Sequence, residues 1–352
     1  MPMEKILFCG DLFYDYDFIS EDIESISDWI ASNNVATILN LESPIGKGKG
    51  KAIKKRGPNL SSNKKVIDVL KKLNVIGVCL ANNHMMDYGS EALLDTIDIL
   101  RDNGISHVGA GVNLRNALKP MVLNVCGKSI AVLNFGWDIE ETVYAGETTG
   151  GCAPRNEKVI ISSVKNAKKA YDDVIVCMHW GFEYNRLPMP YDIQLAHQII
   201  DSGADLIVGH HPHCVQPKEV YNGKTIYYSL GNFYFASRRK NYKRRFDETI
   251  SNQSDYGCVI TYDAMSEECK EYLIYYDHML DSSVLKNIEK LILEDISDID
   301  FNSKEYIELV NRRKLNINPI LSCDERQNKK AINRLFARYK IKSIIKMLLK
   351  RL

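Results

Sequence analysis

The chain has 352 residues, enough for about two domains and for a core that needs no disulfide or metal staple. Its 46 basic and 45 acidic residues leave a net charge of +1, which excludes a globally basic nucleic-acid binder and an acidic, solvating chain. Hydrophobic residues make up 45% and charged residues 26%, the balance of a folded globular protein rather than a disordered one.

From the N-terminus, the first apolar run, Ile6–Cys9, stops at Gly10-Asp11. That is short of the roughly 7–15 residues of a secretory signal core, and no window reaches the ~18 apolar residues of a spanning helix. The expectation is a cytoplasmic chain. Periodicity predicts strand Ile6–Gly10, helix Ser20–Ser32, strand Val35–Leu41, helix Ser61–Leu73, strand Val75–Ala81 and helix Ser90–Asn103. Each of these helices opens on a serine placed as an N-cap, and Gly104 sits where the third would stop. Strands Met121–Val125 and Ile130–Phe135, helix Asn156–Tyr171, strand Val174–Met178, helix Pro190–Ser202, and strands Asp205–Gly209 and Thr225–Leu230 come next. Such alternation predicts an α/β fold with a largely parallel sheet. Gly257–Asp263 and Lys270–Tyr276 read as a closing hairpin. Beyond about residue 280 helices are expected at Ser283–Ile292, Ser303–Arg313 and Gln327–Leu352, with no further strand. The chain therefore divides into 1–280 and 281–352. Nine cysteines, an odd number with no C-x-x-C pair, read as reduced thiols.

The chemistry lies at the ends of the strands. Asp11 ends the first in Cys-Gly-Asp and Glu42 the second in Asn-Leu-Glu-Ser-Pro. Asn82, Asn83 and His84 come after the third, His179 ends a later strand, and Gly-His-His-Pro-His at 209–213 ends another. In an open α/β sheet, ligands bind outside the carboxyl ends of the strands. Acids, an amide and imidazoles converging there suit a divalent cation such as Mn, Fe or Zn. Three imidazoles within four residues, His210, His211 and His213, are uncommon without a metal or a pH switch.

In its run of motifs the chain resembles the bacterial capsule-synthesis CapA family, the poly-γ-glutamate capsule synthesis proteins, related to calcineurin-like metallophosphoesterases. The matching segments are ILFCGD, LNLESPIG, ANNHMMDYG, HWGFEY, GADLIVGHHPHCVQPKEVYNGKTIYYSLGNF and the closing hairpin. The resemblance implies a metallophosphoesterase-like four-layer αββα sandwich with a helical C-terminal extension, and two divalent metal ions. It implies Asp11, Glu42 and His213 on one metal, and Glu42 again with Asn83, His179 and His211 on the other. His84 stands at the position of the general acid, and Asp87, three residues on, is placed to orient it. Where the related enzymes read Asp-x-His this chain has Phe13, and Glu42 replaces their bridging aspartate, so one metal position is short of a ligand. His210 has no counterpart among their required ligands.

Candidate substrate-binding residues are Asn82, Glu183, Asn232, Lys54 and Arg56. Residues 47–56 and 238–245 each carry six Lys/Arg and leave strand ends on the inferred site edge. They are expected to concentrate an anionic phosphate-containing or polymeric substrate. No nucleic-acid reading motif accompanies them. Ten Lys/Arg and no acid between Arg326 and Leu352, with Ile341, Ile344, Ile345, Leu348 and Leu352 at helical spacing, describe a basic amphipathic helix. It can pack on the protein's own body or touch the inner membrane surface. Two functions are expected: a metal-dependent phosphoesterase-like hydrolase in envelope-polymer synthesis, or a non-hydrolytic binding and assembly component of the same machinery.

Overall fold

The computed structural model describes residues 4–15, 23–46, 48, 50–55, 57–136, 142–235, 256–277, 282–287, 295–298, 300–304, 306–308 and 310. In chain order the elements are β1 (Lys5–Phe13), α1 (Glu24–Asn33), β2 (Ala36–Leu41), α2 (Val66–Lys72), β3 (Val75–Cys79), α3 (Gly89–Asp102), β4 (Ser106–Val108) and β5 (Ala110–Gly111). Next come α4 (Leu114–Ala117), β6 (Met121–Val125), β7 (Lys128–Gly136), β8 (Gly151–Cys152), α5 (Glu157–Lys168), β9 (Asp173–His179), α6 (Pro190–Asp201) and β10 (Leu206–His210). Six strands close the series: β11 (Lys218–Tyr221), β12 (Lys224–Tyr227), β13 (Asn232–Phe235), β14 (Tyr256–Asp263), β15 (Cys269–Asp277) and β16 (Ser282–Asn287).

The larger sheet runs β16-β15-β14-β1-β2-β3-β4, with β13 also paired to β1; the smaller runs β11-β12-β10-β9-β7-β6. β1 to β4 are parallel, as are β7, β9, β10 and β12, and antiparallel strands finish both edges of the smaller sheet and the β16 edge of the larger. The central strands are buried on both faces, which is why they read as unbroken apolar runs. Alternate side chains enter different cores. Ile6 and Phe8 of β1, Ile130 and Val132 of β7, Ile175 and Cys177 of β9, and Leu206 and Val208 of β10 form one core between the sheets. Their neighbours Leu7, Cys9, Ala131, Leu133, Val174, Val176 and Ile207 join the cores under the helices. α2 and α3 pack on the larger sheet, α5 and α6 on the smaller. This is a four-layer αββα sandwich.

Several local expectations change. α1, α2 and α3 start after Ile23, Lys65 and Tyr88, none with a side-chain cap, so the serines are not N-caps. An acid in each first turn (Glu24, Asp68, Glu91) complements the helix dipole instead. Asn156 does cap α5, accepting from the Val159 amide at 3.2 Å. Gly104, at φ +71°, comes just after the end of α3 as expected. The helix predicted over 283–292 is replaced by β16, which pairs antiparallel with β15 from Tyr272↔Asn287 to Asp277↔Ser282. A helix that short gains little alone, whereas a strand there satisfies the open edge of β15. The larger sheet thus continues past residue 280. Residues 304, 306–308 and 310 are helical, and Tyr306 donates to the Pro188 carbonyl at 3.0 Å. The eight described cysteines are free thiols. Lys47, Lys49, Arg56, the run 238–245 and the helix Gln327–Leu352 lie outside the described residues. No helix among the described residues is long and apolar enough to cross a membrane.

At the amino ends of β7, β9 and β12 a charge network ties the β14–β15 turn to the smaller sheet. Glu267 sits between Lys224 (2.8 Å) and Lys128 (3.0 Å), and these lysines also hold Asp205 and Asp173. Hydrogen bonds from Lys224 and then Lys128 draw the Glu267 carboxyl down to about 2 from 4.5. A depressed folded pKa stabilises above the unfolded value and is lost as pH falls toward the folded one. The stability difference between wild type and Glu267→Gln, about 1 kcal/mol or less for so exposed a group, should be full above pH 4.5 and narrow toward pH 2. Thermal melts over that range check it, and a pH-independent difference overturns it.

Candidate metal centre

Both sheets present the carboxyl ends of their parallel strands at one edge. Asp11 lies within β1 at a register shift rather than at its end, and this bulge turns the carboxylate toward the edge. Glu42 comes directly after β2, with its amide on the Leu12 carbonyl at 2.9 Å. Asn83 and His84 sit in the turn after β3, and His179 is the last residue of β9. His211 and His213 lie just beyond β10 with positive φ, 96° and 53°. Left-handed backbone at two non-glycine residues stores strain of about 1–3 kcal/mol each, a cost tolerated where it aims a functional group.

Two glycines make this geometry possible. A Cβ on Gly10 would stand 1.9 Å from the Gly231 carbonyl oxygen, and one on Gly209 would stand 1.9 Å from that of Tyr228. Residues 228–232 thereby press on β1 of one sheet and β10 of the other. The Asp11 amide donates to Gly231 O at 3.0 Å and the Leu230 amide to Gly209 O at 3.0 Å.

The six candidate ligands are all buried, none more than 5% exposed. Single donor atoms of Glu42, His179 and His211 lie within 4.8 Å of one another, as do those of Asp11, Glu42 and His213. Glu42 is common to both groups. Its Oε1 is 3.8 Å from His179 Nε2 and 3.6 Å from His213 Nε2. His213 Nδ1 is 3.5 Å from Asp11 Oδ2, and Asn83 Oδ1 is 2.9 Å from His179 Nε2. Two donors about 2.1 Å from one ion stand roughly 3.0–3.4 Å apart in octahedral or tetrahedral geometry; the Glu42–imidazole separations are somewhat wider, so these donors would close in slightly on an ion. His211 supplies the sharpest test of fit. Both its ring nitrogens are buried with no hydrogen-bond partner among the described residues, an arrangement costly without a ligand. Burial first, then neighbouring imidazoles, pushes His179 and His211 well below 6.5, so both present neutral rings with a free lone pair.

A second ring of amides orients the first. Asn40 Nδ2 donates to Asp11 Oδ1 at 2.8 Å and approaches His179 Nδ1 (3.4 Å) and Glu42 Oε2 (3.5 Å). Sequence reading missed Asn40, although its place in Asn-Leu-Glu, two residues from Glu42 on one strand face, was the available signal. Asn232, expected to bind substrate, instead meets His213 Nδ1 with its Oδ1 at 2.9 Å and fixes that ring. Asn82 is engaged within its own turn. Its amide holds Leu41 O and Asn40 Oδ1, and its oxygen accepts the His84 and Met85 amides, which closes the turn. Glu183 and Lys54 are exposed, and the structure joins neither to the cluster. Lys55 enters instead, with its side chain buried against Asn83, His84 and Asp87. His84 Nδ1 is 2.8 Å from Asp87 Oδ2, so those two residues do meet. Burial lowers the His84 pKa, opposed by Asp87. Phe13 packs its ring 5.3 Å from that of Phe235, which in turn lies 4.9 Å from His213.

Residues 5–237 match the family model described as bacterial capsule synthesis protein PGA_cap. The chain belongs to this family. Among PGA_cap relatives, it is 39% identical over 216 residues to the PGA biosynthesis protein CapA of Bacillus subtilis (strain 168), covering 61% of this chain and 55% of that protein. It is 37% identical over 202 residues to the capsule biosynthesis protein CapA of Bacillus anthracis, covering 56% and 49%. The chain spans about half the length of these curated relatives. Among solved structures, a 5′-nucleotidase precursor from Thermus thermophilus aligns with 89% of this chain and 59% of its own, at 13% identity and TM-score 0.47.

For this PGA_cap chain, Asn40 offers a direct test of the outer ring. Asn40→Ala should lower metal affinity roughly 10–100-fold with the fold retained. Calorimetric metal titration beside circular dichroism checks it; unchanged affinity would make Asn40 a packing residue only.

Proposed function

We propose that this protein is a metal-dependent phosphoesterase-like hydrolase acting on an anionic substrate of capsule or envelope-polymer synthesis. The observation that carries this reading is Glu42, one buried carboxylate shared by two donor groups, Glu42/His179/His211 and Asp11/Glu42/His213. Asn83 completes the first group, and His84 stands beside it. Bound there, divalent cations (Mn, Fe or Zn) would supply Lewis-acid polarisation of a phosphoryl group and acidification of water. The protein's own contribution is to hold the donors, exclude bulk water by burial, and place His84 to donate a proton or hydrogen bond to the leaving oxygen. Phe13 favours the second reading, a non-hydrolytic binding and assembly component. It leaves the Asp11–His213 position with three protein donors, so that site is expected to bind its ion more weakly.

His179→Ala should release metal and activity together. His84→Ala should keep its metal and fold yet lose roughly 10²–10⁴-fold in turnover of a phosphoester with a poor leaving group. The loss should shrink for a leaving group that departs without a proton. Metal content per chain and hydrolysis of generic phosphomono- and diesters are the measurements. Bound metal without hydrolysis favours the binding component, and an emptied site in His84→Ala overturns the assigned roles.

The partner we propose is an anionic polymer drawn by the exposed part of the basic loop. Neutralising Lys51 and Lys54 together should weaken binding of polyanionic chains and flatten its salt dependence, leaving turnover of a small ester intact. Binding at low salt that does not change would reduce the loop to solvated surface.

A further inference from the structure

We propose that the substrate carries a sugar ring on its phosphate, and that an aromatic wall beside the metal centre receives this ring, with Tyr184 as the specificity-determining residue. The proposal deepens the phosphoesterase reading and rests on it for hydrolysis, whereas binding of a sugar phosphate is read separately. The wall surrounds His213. The ring of Phe235 lies 4.9 Å from that of His213, the ring of Tyr184 lies 6.0 Å from it, and Phe13 stands 5.3 Å from Phe235. These rings are not core filling. Among the described residues, the side chains packed on the two cores include Leu12, Tyr14 and Phe182 but not Phe13, Tyr184 or Phe235. His213 and Phe13 are buried, while Tyr184 and Phe235 are only half-buried. Aromatic surface is thus kept open next to the Asp11, Glu42 and His213 donors.

Tyr184 is held in this place at a cost. Its φ is +57°, the left-handed region, which is rare for a bulky side chain. Its amide donates at 2.7 Å to the carbonyl of Pro212, the residue between His211 and His213. On its other side, Gln216 Nε2 donates at 2.7 Å to the Asn185 carbonyl. Both bonds pin Tyr184 to the segment that carries two of the donors. Backbone strain fixed so firmly beside a site marks a position kept for function. A phosphoryl group drawn to the donors brings its organic substituent against these rings. Aromatic faces carry the negative part of the ring quadrupole, so at this wall C–H groups are attracted and carboxylates repelled. A linear polycarboxylate is therefore a poor occupant. The rings are tilted, by 37° for Tyr184–His213, 70° for His213–Phe235 and 46° for Phe13–Phe235. They form no parallel slot for a flat base. A puckered sugar ring, with C–H groups on its face and hydroxyls around its rim, suits such a surface. The same loop carries Glu183 and Arg186, both exposed, as an acceptor and a donor for hydroxyls.

Two matched probes test this: glucose 6-phosphate, a ring, and sorbitol 6-phosphate, the same carbon chain opened. Calorimetry on manganese-loaded protein should show glucose 6-phosphate bound roughly 3–10-fold more tightly. Tyr184→Ala should bring that ratio toward one, and Tyr184→Phe should restore it. Phe235→Leu, which keeps bulk but removes the ring, should also lower the ratio. A wild type with no ring preference overturns the proposal, even if no variant folds. So does a ratio unchanged in both Tyr184→Ala and Phe235→Leu, or adenosine 5′-monophosphate bound more tightly than glucose 6-phosphate. Hydrolysis is scored apart. Ring-selective binding without turnover of any ester fells the phosphoesterase reading and leaves the wall standing. Turnover of generic phosphomonoesters with no ring preference does the reverse.

Discussion

Two carboxylates, Asp11 and Glu42, are packed together with no exposed surface. They face imidazoles, of which His179 is kept from charging by burial. Burying like charges costs several kcal/mol per ion unless a countercharge is present. A divalent cation is the countercharge that the surrounding imidazoles and amides can also ligate. The other features of the site answer this demand. The register shift at Asp11, the left-handed backbone at His211 and His213, and the amide ring of Asn40, Asn82 and Asn232 all aim donors at the same small volume.

The long parallel strands and the helices between them were legible because each carries a strong, local hydrophobic pattern. So were the donor residues, because strand ends in α/β folds project at one edge. Elements of two to four residues, such as β5, β8, α4 and β13, carry too little periodicity to read. β16 was misread for another reason: its partner, β15, is a tertiary fact that a short local pattern does not encode. The substrate residues were the hardest to read locally. Asn82 and Asn232 stand next to the donor motifs in the sequence, and only the fold shows Asn82 bonded within the turn and Asn232 Oδ1 set against His213.

Lys55 shows the same limit within a single charge run. Among the lysines of residues 47–56 nothing local distinguishes it from Lys54, and the basic run reads as one solvated face. The neighbours are separated by the closure of the loop onto Asp87 through Ile53, Asn59 and Leu60. Those contacts send one lysine inward and leave the other in water. A charge that leaves water for such a place must be met by fixed partners, and this one is met by a carboxylate, a carbonyl and a ring nitrogen.

The backbone of residues 228–232, pressed through Gly10 against one sheet and through Gly209 against the other, fastens together the two halves of the donor set. With no side chain at either glycine to repack, the seam has little room to open or slide. The distance between Glu42 on the first sheet and His211 on the second is then a property of the scaffold rather than of the ion. A gap of set width accepts ions by radius and preferred angles instead of moulding itself around whichever is most abundant. Any discrimination among ions at this site would then rest largely on a stretch of main chain that supplies none of the donor atoms.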